Sequence, residues 1–95
     1  MANRSREWSV DLARKLGKKS YRQRFFIELV EGEGLSVREA INVIAKSMGN
    51  QEFARLIGMA PSNASRAANP ENDIKSATLE HILNALGLEL WVRVA

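Results

Sequence analysis

Residues 50–68 read Asn50-Gln51-Glu52-Phe53-Ala54-Arg55-Leu56-Ile57-Gly58-Met59-Ala60-Pro61-Ser62-Asn63-Ala64-Ser65-Arg66-Ala67-Ala68. Two short helices joined by a glycine turn fit this stretch. Phe53, Ala54, Leu56 and Ile57 form the buried face of the first, and Asn50 stands where a cap belongs. Gly58 ends it, at a point where a left-handed backbone penalises any residue with a Cβ. Met59 fills the elbow. Pro61 suits the first position of the second helix, because the N–H it lacks has no intrahelical partner there. Asn69-Pro70 stops that helix. Ala54 and Ala64 are small where the pair must approach closely. The outer residues of the second helix, Ser62, Asn63, Ser65 and Arg66, offer a core almost nothing. Their short polar side chains instead fit the floor of a DNA major groove. Taken by itself, the pattern also fits any two helices around a glycine turn.

Working outward, Ser36 and Glu39 have capping-box spacing, and Val37, Ala40, Ile41, Ile44, Ala45 and Met48 form a helical stripe that Gly49 breaks. Residues 71–75 read as a polar loop. A last helix starts at Ser76 or Ala77, turns Leu79, Ile82, Leu83 and Leu86 inward, and ends at Gly87. Residues 88–94 then alternate, with Leu88, Leu90, Val92 and Val94 on one face and Glu89, Trp91 and Arg93 on the other. This predicts a strand. A single strand needs a partner, supplied by a second copy or by another protein. Upstream, Ser20 is placed to cap a helix over 21–31 carrying Tyr21, Phe25, Phe26, Leu29 and Val30. Before it, Trp8, Leu12 and Leu16 mark a short helix over 3–16, with Lys18-Lys19-Ser20 as a linker. The chain thus divides into a basic N-terminal extension, 1–19, and a domain over 20–95.

Charge is distributed unevenly. Residues 1–24 carry eight positive side chains and two negative ones, while residues 25–95 carry six and nine. The basic start fits either a solubilising segment or a surface for phosphate or a partner protein. No cysteine is present, which excludes disulfides and thiol chemistry. His81 is the only histidine and reads as a surface or interface residue. No metal site is expected. Glu71-Asn72-Asp73 lacks the spacing of a calcium loop, and no Gly-rich phosphate loop occurs. Neither a catalytic constellation nor a cofactor is expected, so an enzyme is not. With no apolar run of membrane-spanning length, the expected location is the cytoplasm.

With these residues in place, 36–87 resemble the helix-turn-helix domain of the Cro/C1 repressor class. More narrowly, residues 20–94 resemble HigA-like antitoxins and addiction-module antidote proteins. The likeness is carried by Phe53-Ala54-Arg55-Leu56-Ile57-Gly58-Met59, by Asn69-Pro70, and by the ending from Thr78-Leu79 through Leu86-Gly87-Leu88-Glu89-Leu90. It implies a mainly α, five-helix domain with a C-terminal β-strand and an N-terminal helical extension. By position it implies that Asn50, where the family often has glutamine, binds backbone phosphate and caps its helix, with Gln51 beside it. Pro61, Ser62, Asn63 and Arg66 occupy groove-facing positions. Ala60 departs from the pattern, which usually has a Ser or Thr cap worth about 1 kcal/mol.

Arg66 has the fork that matches guanine O6 and N7, and Asn63 could pair with adenine. Lys46, Arg55 and Lys75 are phosphate candidates or ordinary surface charges. The resemblance implies double-stranded DNA as partner and a homodimer joined through Tyr21 and Phe25 or through Leu90, Trp91, Val92 and Val94. The expected function is a sequence-specific repressor acting as the antitoxin of a type II pair, neutralising a small toxin and autoregulating its operon. The alternative is a free-standing or phage-derived homodimeric regulator without a toxin.

Overall fold

The computed structural model describes residues 10–90, and these are mainly helical. Residues 10–16 are helical (α1). They lead into α2 (Lys19–Ile27), a π-helical turn (Glu28–Gly32), α3 (Val37–Met48), α4 (Asn50–Ile57), α5 (Pro61–Ala68) and α6 (Ser76–Leu86). None of the helices among the described residues is long and apolar enough to cross a membrane.

The core gathers one face of each helix from α2 to α6. Phe26, Ile41, Ile44, Phe53, Ile57, Ile82, Leu83 and Leu86 supply its bulk. The alanines Ala40, Ala45, Ala54, Ala64, Ala67 and Ala68 fill the narrow contacts between helices. An alanine face costs α5 little side-chain entropy and lets its backbone lie close to α3 and α4. Leu16 at the end of α1 is also fully buried, outside that cluster.

Local chemistry explains most boundaries. α3 opens with a complete capping box: the Glu39 amide donates to Ser36 Oγ at 3.1 Å, and the Ser36 amide donates to Glu39 Oε1 at 2.9 Å. α4 ends as expected at Gly58, whose φ of +71° is left-handed. There the Met59 amide reaches back to Ala54 O at 3.0 Å, the closing bond of a Schellman cap. α6 ends the same way, with Gly87 at φ +94° and the Leu88 amide on Leu83 O at 2.8 Å.

Three expectations are corrected. Ser20 does not cap α2; the helix already includes Lys19, and Lys18 takes the N-cap place without a side-chain bond. The expected linker therefore shrinks to a corner at Gly17 and Lys18, whose amides bond to Arg14 O and Lys15 O at 3.1 and 3.0 Å. Nor does the second helix run to residue 31 in one register. After Ile27 it widens, with the Glu33 amide bonding five residues back to Glu28 O at 3.0 Å. The wider turn leaves both Leu29 and Val30 packed half-buried on the core. Finally, the strand expected over 88–94 is not seen at Leu88, Glu89 and Leu90. The Leu88 amide is already committed to the cap of α6, and the described residues contain no second strand to pair with. Trp91, Val92 and Val94 lie outside the described residues.

Candidate nucleic-acid interface

α5 sorts its residues by face. Ala64, Ala67 and Ala68 are buried, while Pro61, Ser62, Asn63, Ser65 and Arg66 are exposed. The four predicted base-reading residues therefore lie together on the outside of one two-turn helix. Ala60 is the N-cap and makes no side-chain bond, as its methyl group requires, and Pro61 follows it. The Arg66 guanidinium has no hydrogen bond or ion pair to any described residue.

Asn50 is placed differently from the sequence expectation. Gly49 holds the N-cap position, and Asn50 is the first residue of α4. Its side chain does not cap its own helix. Instead Asn50 Nδ2 donates to Pro61 O at 2.8 Å, tying the start of α4 to the start of α5. The turn that joins these helices is thus closed at both ends, by this bond and by the Gly58 cap.

Beside that bond lies a recess of about 230 Å³, lined by Asn42, Ala45, Lys46, Asn50, Ser65 and Ala68. It brings Lys46 and Asn50, two expected phosphate residues, together with Ser65 of α5. Ser65 was expected on the groove-facing side of its helix, but Asn42 was not among the expected contact residues. Asn42 lies on α3 one turn before Lys46, so helical spacing from Lys46 was the signal that could have found it. A second depression, of about 410 Å³, shares Asn42, Lys46 and Ser65 with it and is also lined by Asn69, Pro70 and Glu71.

The remaining expected residues are scattered. Gln51 is exposed on the first turn of α4. Arg55 sits 3.5 Å from Glu52 on the same helix, with both side chains well exposed, a pair worth about 0–1 kcal/mol and easily exchanged. Lys75 is the exposed N-cap residue of α6. Tyr21 and Phe25 stack on each other with centroids 6.1 Å apart, and Lys15 Nζ stands 6.0 Å from the Tyr21 ring. Both rings remain partly exposed. Leu90 is 44% exposed.

Three side chains missed by the sequence reading hold this framework. Arg22 is 4% exposed; its Nε donates to Leu86 O at 2.9 Å and its Nη1 to Leu16 O at 3.1 Å. It places one cation on the carbonyl ends of two helices, α1 and α6, where the helix dipole is negative. Burial pushes its pKa down. Arg38, at the start of α3, sends Nη2 to Ala67 O, Asn69 O and Asn72 O at 3.1, 2.7 and 2.9 Å. His81, expected as a surface or interface residue, is exposed, and its Nε2 lies 2.7 Å from Ile57 O at the end of α4, a contact the sequence did not reveal. A carbonyl can only accept, so Nε2 carries the hydrogen.

Away from α5, two carboxyls are held below their ordinary range. Asp11 is lowered first by its hydrogen bond to Arg14 and then by that to Lys15, and Glu39 is lowered by the Ser36 amide and then the Ser36 hydroxyl. No group of three His, Cys, Asp or Glu residues is arranged to hold a metal among the described residues. What α5 offers is a convex face of hydroxyl, amide and guanidinium groups, flanked by Lys46. Comparison of the chain with protein-family models, curated proteins and solved structures found no match in any of the three.

Proposed function

We propose that this chain is a sequence-specific DNA-binding regulator of the Cro/C1 helix-turn-helix type, reading the major groove with α5. The supporting observation is the division of α5 itself. A helix that buries only alanines and turns Ser62, Asn63, Ser65 and Arg66 outward contributes little to the core with its outer face. Arg66, whose guanidinium has no partner among the described residues, reads guanine; Asn63 reads adenine; Lys46, Asn50 and Gln51 rest on the backbone, with Arg55 and Lys75 adding charge. A single α5 spans only a few base pairs, so two copies bind half-sites about 34 Å apart.

Within this reading the protein works in the cytoplasm as a repressor and as the antitoxin of a type II pair. The antitoxin role rests on the resemblance of residues 20–94 alone. Co-purification from the native host tests it: a stoichiometric small protein partner supports it, and a partner-free dimer on operator DNA supports a free-standing regulator.

DNA reading is tested by selection from a pool of duplexes with a randomised core, followed by affinity measurement at several salt concentrations. Lys46, Arg55 and Lys75 from two copies give six cations, and hence a log–log salt slope near about −5. Arg66→Ala should relax one base position and weaken binding by about 1–3 kcal/mol. Failure to enrich any sequence would remove the proposal.

A further inference from the structure

We infer that Arg38 is a positioning residue that sets the base-reading end of α5, acting through the loop that follows it. The inference rests on the DNA-reading proposal above. One nitrogen of Arg38 meets three carbonyls: Ala67 O within α5, and Asn69 O and Asn72 O beyond it. These belong to the last turn of α5 and to the loop after it, 29 to 34 residues away in sequence. Asn72, so held, returns its side chain to the helix, where Nδ2 donates to Arg66 O at 3.0 Å. The Asn69 amide bonds to the same oxygen at 3.3 Å, and Asn69 Oδ1 accepts from the Glu71 amide at 3.0 Å. The backbone of Arg66 is therefore fastened from its C-terminal side by a chain of bonds that begins at Arg38.

The arrangement answers a specific weakness of α5. Eight residues make two turns, so its last carbonyls have no partners within the helix. Asn69-Pro70 prevents a glycine cap, because Asn69 is held extended at φ −74°, ψ 116°. A half-buried cation supplies the missing donors and the charge that the helix C-terminus favours. The Arg38 Nε is itself buried without a hydrogen-bond partner, so the guanidinium is aimed at the carbonyls at the expense of its own third donor group. Only Nη2 is engaged, and it has two hydrogens for three acceptors. A lysine ammonium has three.

That difference yields the test. The full chain and its Arg38→Met, Arg38→Lys, Asn72→Ala and Arg66→Ala variants are each selected against the randomised-core duplex pool, with folding checked by circular dichroism. Arg38→Met should lose preference by about tenfold at the base pair that Arg66→Ala relaxes, and at no other. Arg38→Lys should retain preference within about threefold, since its ammonium can serve all three carbonyls. Asn72→Ala, at a half-buried position of a mostly exposed loop, should show the same single-position defect and stands in if Arg38→Met does not fold. A structural role alone would lower affinity for all sequences equally. The inference is overturned if folded Arg38→Met keeps full preference at the Arg66 position, or if Met and Lys lose it equally. Absence of any enriched sequence with the unaltered chain would instead overturn the DNA reading on which the inference stands.

Discussion

Replacing Arg22 with methionine isolates the contact that fastens the N-terminal helix to the rest of the fold. Methionine keeps most of the hydrocarbon stem, so little packing is lost. What disappears is the pair of charge-assisted bonds to Leu86 O at 2.9 Å and Leu16 O at 3.1 Å. Hydrogen bonds to charged groups are worth about 1.5–3 kcal/mol each. The burial that pushes the Arg22 pKa down also means its charge is held at a cost, and the variant recovers that cost. The net loss is therefore about 2–4 kcal/mol, against a total of about 5–15 for a domain of ordinary stability. Urea unfolding followed by circular dichroism measures it, with the slope checked for two-state behaviour. Arg22→Lys should fall between, because one ammonium reaches two helix ends less well than a fork. A Met variant within about 0.5 kcal/mol of the parent would refute the reasoning, since both carbonyls would then have found other partners.

Further outcomes follow from the caps. Gly58→Ala forces a side chain into the left-handed conformation at φ +71° with open space around it, and should cost about 1–2 kcal/mol in the same unfolding assay. Gly87→Ala should cost more, because its Cβ would also press to 3.1 Å from Lys19 atoms and 3.2 Å from Gln23 Nε2. His81→Ala removes the donor on Ile57 O and should lower stability by about 1 kcal/mol. Glu39 has a folded-state pKa held below its ordinary value of 4.5 by Ser36. Its contribution is present above that value and fades as pH falls through the lower folded-state pKa. Acid titration of stability should therefore be flatter in Glu39→Gln than in the parent below about pH 4.5.

The helices from α3 to α6 could be read from the chain because each carries its own start and stop: Ser36 with Glu39, Gly58, Pro61, Asn69-Pro70 and Gly87. The exposed face of α5 was legible for the same reason, since alanine and polar residues alternate with helical period. Arg22, Arg38 and His81 were not legible. Each is bound to the carbonyl end of a helix distant in sequence, and no local pattern tells a bound arginine from a solvated one. Asn50 was misplaced by one position because capping residues and first-turn residues share the same chemistry, and only the Gly49 backbone decides between them. The strand over 88–94 was read from alternation, a signal that cannot say whether a pairing partner exists.

The reading face of α5 is tested most directly by titrating the isotopically labelled full chain with its selected duplex and following backbone amide resonances. The largest changes should fall at Ser62, Asn63, Ser65 and Arg66, with a second group at Asn50 and Gln51. Changes confined to α1 and α2, with α5 unmoved, would contradict DNA reading by α5.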